Sequence, residues 1–350
     1  MKVKYSFMSD YSELVHPQVL SKLASIGNAQ FDGYGLDGFS EVAKKLIKEK
    51  IGNPEADVHL VSGGTQANVI VLSSILRPYE AVISCDTAHI FVHETGAVEA
   101  TGHKICTAKG VDGKLSVEEI DEVLKFHIDE HMVKPKVVFV SLSTEVGSVY
   151  SKEELTAISE YCRAHDLYLY LDGARLGAGL ASPACELTYA DIARLTDVFY
   201  IGGTKNGMLF GEAIVICNKR LQEDFRYHIK QKGGLLAKGA SLGVQFMAML
   251  EKNEAGEDLY DQLAKRAYEM AMKLAKGMKD LGYGFLSEPE TNQIFPIFPV
   301  SVAEKLHECY GFYDWAKVGE GRIAVRLVTS WATPEEKVDE FLKDLSGIKQ

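Results

Sequence analysis

Short apolar runs recur along the first two thirds of the chain and alternate with amphipathic stretches. The runs are rich in β-branched and aromatic residues and end at polar or glycine-containing turns, which is typical of buried strands. They cover Val58–Val61, Ala81–Ser84, Val137–Leu142, Leu167–Leu171, Val198–Ile201 and Ala213–Cys217. Between them, Glu118–Lys125 and Lys152–His165 carry apolar residues at helical spacing. This alternation predicts an α/β fold with a mostly parallel sheet.

From about Leu235 the pattern changes to longer helical periodicity mixed with two strand-like runs. The predicted elements are helices over Gln245–Glu251, Asp258–Leu281 and Glu335–Leu345, and strands over Gln293–Phe298 and Arg322–Val328. We expect a smaller α+β domain here, joined by Tyr5–Ile26. The predicted division is therefore a large domain over 30–240 and a small domain made of 1–29 and 241–350.

The composition is that of an ordinary globular protein. With 350 residues, 46% of them hydrophobic and 25% charged, the chain can bury a large core in two domains. A net charge of −11 argues against nucleic acid or an anionic membrane as the main partner. The six cysteines are widely spaced without a CxxC pair, and no signal-peptide or membrane-spanning run is present. We expect a cytoplasmic protein with reduced thiols.

Three polar features follow predicted strands, at the edge where parallel sheets bind their ligands. Gly64, Asp172 and Lys205 each lie just past the end of an apolar run, and ligands of such sheets bind outside the carboxyl ends of the strands. Lys205 lies on a turn between Gly-Gly-Thr and Asn-Gly. Pyridoxal 5'-phosphate (PLP) needs an amine for its Schiff base, an acid for its ring nitrogen and a cradle for its phosphate. The sequence supplies all three.

The phosphate cradle is the start of a helix predicted from Gly64 to about Leu76. The free N–H groups and the positive end of a helix favour an anion, Gly64 permits close approach, and Thr65 adds a hydroxyl donor. Each residue also has a simpler explanation. A strand-Gly-Gly-Thr-helix junction can serve packing alone, Asp172 could cap the following helix, and Lys205 could be a surface lysine.

Two other motifs compete with this interpretation and fail in context. Gly33–Gly38 matches the G-x-G-x-x-G pattern of dinucleotide-binding turns, but the polar segment Ser25–Asp32 before it does not read as a strand. His127–His131 matches H-x-x-E-H, which could hold zinc on a helix. A polar, exposed helix end explains that spacing more simply, so we expect no metal site.

Seven motifs in order carry a resemblance to a known family. They are Met8–Asp10, Tyr34–Asp37, Ser62–Asn68, Ala88–Gly96, Asp172–Arg175, Gly202–Gly207 and Val325–Ala332. Through them the chain resembles the low-specificity threonine aldolase and β-eliminating lyase group of PLP-dependent enzymes, which has the aspartate aminotransferase fold (fold type I). The match runs over nearly the whole chain.

The resemblance implies a role for each matching residue. Lys205 would form the Schiff base, Asp172 would pair with the pyridinium nitrogen, and His89 would stack on the cofactor ring. The phosphate would be bound by Gly64 and Thr65. The substrate carboxylate would be held by Ser9, Arg175 and Arg326, and Tyr34 and Lys238 would reach a neighbouring subunit's site in a homodimer or homotetramer. The implied reaction cleaves threonine or allo-threonine to glycine and an aldehyde.

One departure from the family pattern leaves the catalytic base open. Many members carry a histidine in the loop that here reads Ser143–Gly147, and this chain has Glu145 in its place. A base must take the proton from the substrate hydroxyl, and Glu145, His89 and His93 are candidates. Glu145 could instead be structural, His89 a core histidine and Arg175 part of a structural salt bridge. The alternative functions are β-elimination, transamination, or a non-catalytic protein that kept the cofactor fold.

Overall fold

The computed structural model describes residues 3–348 and contains a large, mostly parallel sheet and a smaller antiparallel one. The strands are β1 (Tyr5–Ser6), β2 (Asp57–Val61), β3 (Glu80–Cys85), β4 (Lys104–Ala108), β5 (Lys134–Ser141), β6 (Tyr168–Asp172), β7 (Val198–Gly202), β8 (Glu212–Ile216), β9 (Gln293–Ile294), β10 (Ile297–Pro299), β11 (Tyr310–Gly311), β12 (Tyr313–Lys317) and β13 (Arg322–Val328).

Helices alternate with the strands of the large sheet and also occur before and after it in the chain. They are α1 (Pro17–Ser25), α2 (Gly38–Lys50), α3 (Gly64–Ile75), α4 (His89–Val92), α5 (Val117–Phe126), α6 (Lys152–Ala164), α7 (Leu176–Leu180), α8 (Tyr189–Leu195), α9 (Phe225–Gln231), α10 (Ala240–Leu250), α11 (Leu259–Asp280), α12 (Val300–His307) and α13 (Glu335–Gly347). No helix within residues 3–348 is both long and apolar enough to cross a membrane.

The large sheet has the strand order β2-β8-β7-β6-β5-β3-β4. Every neighbouring pair is parallel except those that include β8, which runs antiparallel to both β2 and β7. Strands β3, β7 and β8 are buried along their whole length, as expected where helices cover both faces. The carboxyl ends of β2, β6 and β7 therefore meet the start of β8 at one edge of the sheet.

The apolar side chains form two clusters. The first surrounds the large sheet and extends from Val19 to Leu263, with α10 contributing Phe246 among others. The second joins Phe7 to residues between Met270 and Leu345, around the small sheet. The predicted domain boundaries at 30 and 240 stay a prediction, and residues on both sides of each boundary belong to the first cluster.

The predicted strands and helices are confirmed with shifted ends, except that the predicted strand Gln293–Phe298 is divided into two short strands, β9 and β10. Several elements were not predicted. Among them are the edge strand β4, of which only Ile105 and Cys106 are buried, the strand β12, and the helices α2 and α12. The antiparallel direction of β8 was also not anticipated. A five-residue apolar run carries no signal for strand direction, which is set by the short connection from β7.

Candidate active site

The three features that follow predicted strands come together at one edge of the large sheet. Gly64, Asp172 and Lys205 all line a cavity of about 260 Å³. The cavity continues into a second one of about 440 Å³, since Lys205, His89 and other residues line both. The strand directions explain this convergence, because β2, β6 and β7 run the same way and only β8 lies between β2 and β7.

Lys205 is held in a tight turn of 3-10 helix between β7 and β8. A Cβ at Gly202 would lie 2.4 Å from the Ala174 carbonyl oxygen, and one at Gly203 would lie 2.2 Å from the Met208 sulfur. Both positions therefore require glycine. Burial lowers the pKa of Lys205, and the nearby Arg175 guanidinium lowers it further. The turn thus presents an amine that loses its proton more readily than a surface lysine.

Asp172 is the last residue of β6 and is 4% exposed. Its carboxylate accepts hydrogen bonds from the Tyr200 hydroxyl at 2.5 Å, the Ala174 N–H at 2.9 Å and the Asn68 side-chain amide at 3.2 Å. Burial and the neighbouring carboxylate raise the pKa of Tyr200 well above its ordinary value, so this tyrosine remains a donor. These donors fix the orientation of the carboxylate in the cavity wall.

The start of α3 lines the same cavity. Gly63, the residue before the helix, is extended and provides no side-chain cap. A Cβ at Gly64 would lie 3.0 Å from the Tyr200 hydroxyl oxygen, so a larger residue would crowd this wall. Uncapped N–H groups at the start of a helix of this length favour a bound anion.

His89 belongs to a buried polar network. Its Nδ1 lies 2.8 Å from Oε1 of Glu94, which also accepts a hydrogen bond from the Asn68 amide at 2.8 Å. Asn68 in turn accepts from the Tyr170 hydroxyl at 2.7 Å and donates to Asp172. Glu94 Oε2 is buried and has no hydrogen-bond partner among the described residues. Because Nδ1 of His89 faces the Glu94 carboxylate, Nε2 is available to contact other groups.

Glu145 lies between the two cavities and lines both. Its Oε1 accepts the backbone N–H of His89 at 2.9 Å and the Ser141 hydroxyl at 2.8 Å. Burial, together with the charge of Asp172, raises its pKa above the ordinary range. The carboxyl group therefore fixes the start of α4 and is also near the reactive groups.

Arg326 on β13 faces the larger cavity. Its guanidinium carbon lies 5.1 Å from the Tyr313 ring and 5.6 Å from the Trp315 ring. One Nη donates weakly to the Met8 carbonyl at 3.4 Å, and Nε is buried with no partner among the described residues. Burial lowers the pKa of Arg326, and the positive charge of the nearby Arg175 lowers it further. A guanidinium with unused donors beside a cavity suits a carboxylate ligand.

Arg175 has a partner that sequence analysis did not identify. Its Nε and one Nη donate to the two carboxylate oxygens of Asp10 at 2.7 and 3.1 Å, and the Asn292 amide donates to the same carboxylate at 3.0 Å. The structural salt bridge considered for Arg175 therefore exists, although Arg175 also lines both cavities. Burial opposes ionisation of Asp10, but Arg175 and Lys205 hold its pKa below the ordinary range.

The other predicted contacts lie away from the cavities. The Ser9 hydroxyl is 2.9 Å from the Ser12 hydroxyl, and Ser9 lines neither cavity in the described chain. Tyr34 is 44% exposed, and its ring lies 4.5 Å from the Lys230 ammonium. Lys238 is exposed. In this single chain, Tyr34 and Lys238 are apart from Lys205, and their expected role across a subunit interface stays a prediction.

Sequence reasoning missed several residues of the cavity and its surroundings, among them Asp10, Glu94, Tyr200 and Glu212. Glu94 and Asp10 lie within quoted motifs, but their partners are distant in sequence. Glu212 opens an otherwise apolar strand, and a charge at that position was the available signal.

The His127–His131 motif follows a helix instead of lying on one. Helix α5 ends at Phe126, so the His127–His131 segment is not helical. Within residues 3–348, no group of histidine, cysteine or acidic side chains has the arrangement of a metal site.

Comparisons with known proteins agree with this arrangement. Residues 24–299 match the family model described as beta-eliminating lyase. The chain is 34% identical to the low specificity L-threonine aldolase of Pseudomonas sp. (strain NCIMB 10558), over 98% of this chain and 97% of that protein. It also superposes on a Leishmania major threonine aldolase structure with a TM-score of 0.95 and 45% identity, over 98% and 99% of the two chains. An aspartate aminotransferase from Thermus thermophilus, with a TM-score of 0.72, 16% identity and coverage of 99% and 91%, shares the fold.

Proposed function

The chain belongs to the threonine aldolase and β-eliminating lyase family, and on this basis we propose that it is a PLP-dependent aldolase. It cleaves a β-hydroxy-α-amino acid, threonine or allo-threonine, to glycine and an aldehyde. The observation that carries this proposal is the shared cavity of Lys205, Asp172 and the start of α3. The fold alone does not require an amine, an acid and an anion site in the same cavity, whereas PLP chemistry requires all three.

The cavity residues fit PLP. The start of α3 and the Thr65 hydroxyl suit its phosphate, the buried Asp172 carboxylate suits its ring nitrogen, and the amine of Lys205 suits its aldehyde. A side chain at position 64 would crowd Tyr200, and its absence leaves the backbone there open to close contact with a phosphate. When bound, PLP supplies an electron sink for the Cα–Cβ bond that breaks.

We assign the substrate carboxylate to Arg326. Its unused donors face the larger cavity, and the Tyr313 and Trp315 rings restrict its position. Arg175 lies beside it with its donors partly engaged by Asp10, so we assign Arg175 a supporting role in which it adds positive charge. Ser9 as a further contact stays a prediction.

We propose His89 as the group that accepts the proton of the substrate hydroxyl. Its Nδ1 is directed at Glu94, which stabilises a positive imidazole, while Nε2 is available to the cavity. Glu145 already accepts two hydrogen bonds with one oxygen, one of them from the His89 backbone, so we assign it the positioning of His89. His93 is exposed, and its pKa is lowered by partial burial and by the His89 and Arg326 charges.

The alternative reactions, β-elimination and transamination, are not favoured. The relatives that match almost the whole chain are named threonine aldolases, whereas the aminotransferase shares 16% identity and shows only the fold.

The decisive experiment is a product assay with the four stereoisomers of threonine. The protein supplied with PLP should release glycine and acetaldehyde in equal amounts from at least one isomer, and Lys205→Ala should release neither. Ammonia and a keto acid as products would instead indicate β-elimination, and the proposal would be abandoned.

We further propose that the protein acts as a homodimer or homotetramer with active sites at the subunit interface. The position of Tyr34, exposed and away from Lys205 of its own chain, supports this arrangement. Cytoplasmic localisation stays a prediction.

A further inference from the structure

Glu212 is a buried acid at the lysine turn that the proposed reaction does not use. It is the first residue of β8, aligned with Val61 on one side and Gly202 on the other. Because β8 is antiparallel to its neighbours, its first residue lies at the edge where β2 and β7 end. Glu212 is 5% exposed and lines the smaller cavity together with Lys205 and Asp172.

The contacts of Glu212 connect it to the backbone just before Lys205. Its Oε2 accepts the N–H of Gly203 at 2.9 Å, and the same N–H lies 3.0 Å from the Gly211 carbonyl oxygen. The Thr204 hydroxyl accepts the Gly211 N–H at 2.9 Å, which closes the turn from the other side. No carboxylate in the described residues forms a direct ion pair with Lys205. Glu212 therefore acts on the amine through the turn and through its charge.

The charges around Glu212 are few. The titratable groups that face it come from four other parts of the structure and are Lys205, Asp172, Tyr170, Tyr200 and Tyr260. The pKa values of the three tyrosines are raised well above the ordinary value by burial, so these hydroxyls stay neutral near pH 7. Lys205 and Asp172 are thus the groups whose charges face Glu212.

Glu212 and Lys205 influence each other. Burial raises the pKa of Glu212 to about 7, against the lowering effects of Thr204, Gly203 and Lys205. In the other direction, the Glu212 carboxylate favours the protonated amine and opposes the effects of burial and of Arg175 on the pKa of Lys205. The charge on Glu212 therefore changes near neutral pH, and this change alters the proton affinity of Lys205.

We propose that Glu212 is a positioning residue for Lys205 that fixes the Gly203–Thr204 turn and, as an anion, retains a proton on the amine. This inference rests on the proposed function in that Lys205 is taken as the reactive lysine. Loss of the Glu212 charge favours the neutral amine, which is the form that attacks a carbonyl. The acid thus raises the pH at which Lys205 becomes reactive, against the lowering effects of burial and Arg175.

The test measures the reactivity of Lys205 without cofactor or substrate. The full-length chain, freed of PLP, is labelled with trace acetic anhydride across the neutral to alkaline range, and the Lys205 peptide is quantified by mass spectrometry. Lys276, whose side chain is 82% exposed, serves as the internal standard. The variants are Glu212→Gln, which keeps an acceptor for the Gly203 N–H but cannot ionise, and Glu212→Ala, which loses both.

Glu80→Gln is the matched control. Glu80 is also 5% exposed and accepts a backbone N–H, that of Arg77, at 2.9 Å, but it lies at the start of the parallel strand β3 and hence at the opposite edge of the sheet. We expect Glu212→Gln to shift the labelling curve of Lys205 to lower pH by about one unit, a roughly tenfold gain in labelling below the midpoint. Glu80→Gln should leave the curve unchanged.

An unshifted curve in Glu212→Gln, with only Glu212→Ala perturbed, would show that Glu212 is a backbone acceptor alone and would overturn the proposal.

The wild-type curve gives a second test that needs no variant. Titration of Glu212 near pH 7 should make the pH dependence of Lys205 labelling broader than the curve of a single titrating group. A single-proton curve would contradict the coupling. Because neither measurement involves catalysis, failure of the aldolase assay and failure of this inference are distinguishable.

Discussion

Two of the charged side chains around the cavity are held by an ionisable partner, and the arginine without an acidic partner indicates where an anionic ligand binds. Asp10 pairs with Arg175 and Glu94 with His89. A buried charge without a partner is costly, so Arg326, which has no acidic partner in the described chain, is best explained by an anionic ligand. Glu94 orients His89, and Asp10 orients Arg175. The N–H groups of Arg326 are available to a substrate carboxylate.

The first prediction at this scale concerns Lys205. Borohydride reduction in the presence of PLP should attach the cofactor covalently to Lys205, because burial lowers the pKa of this amine relative to that of surface lysines. Peptide mapping identifies the labelled residue. In Lys205→Ala the label and the activity should both disappear while the circular dichroism spectrum stays unchanged. A label on any other lysine of the wild type would refute the assignment.

The second residue-scale prediction concerns Glu94. Replacing it with glutamine removes the charge that supports a positive His89, so kcat should fall by on the order of a hundredfold. Steady-state kinetics at saturating substrate measure this fall in kcat. The exposed Glu99→Gln serves as the control and should behave as wild type.

At the scale of elements, the sequence predicts strand positions well and strand directions poorly. The ends of β2, β6 and β7 follow from apolar runs, and these ends located Gly64, Asp172 and Lys205. The role of Glu212 depends on the reversed direction of β8, which no local pattern encodes. The Asp10–Arg175 and Glu94–His89 contacts were likewise not predicted, because pairing between distant or differently oriented side chains depends on the assembled fold.

Strand β13 allows an element-scale prediction about Arg326. The strand pairs with β12 so that Arg326 lies opposite Tyr313, which holds the guanidinium at the cavity wall. Lysine cannot reproduce a two-pronged contact with a carboxylate. Arg326→Lys should therefore lower kcat/KM by roughly two orders of magnitude, equivalent to about 3 kcal/mol, with PLP affinity nearly unchanged.

The control for Arg326→Lys lies on the same strand. Arg322 is exposed at the start of β13, and Arg322→Lys should leave kcat/KM at the wild-type value. Steady-state kinetics and a PLP titration are run on both variants. Loss of PLP binding in Arg326→Lys, with normal kinetics once the cofactor is restored, would assign Arg326 to the cofactor or the fold instead of the substrate.

At the scale of the whole molecule, the site lies where the two apolar clusters meet. Lys205 and His89 belong to the part built on the large sheet, while Arg326 and Tyr313 come from the small sheet. The larger cavity is thus formed by both parts together. Tyr34 is outside it, so a contribution from Tyr34 requires a second copy of the chain.

The last prediction tests that requirement by complementation. Lys205→Ala and Tyr34→Ala are each expected to be inactive or weakly active alone. Mixed, dissociated and reassembled in equal amounts, they should recover about a quarter of the wild-type activity, since half of the dimers are mixed and each mixed dimer has one complete site. A Lys205→Ala and Arg326→Ala mixture is the control and should recover none, because both residues line the same cavity of one chain. If the first mixture also stays inactive although mass spectrometry detects mixed dimers, Tyr34 does not act across the interface.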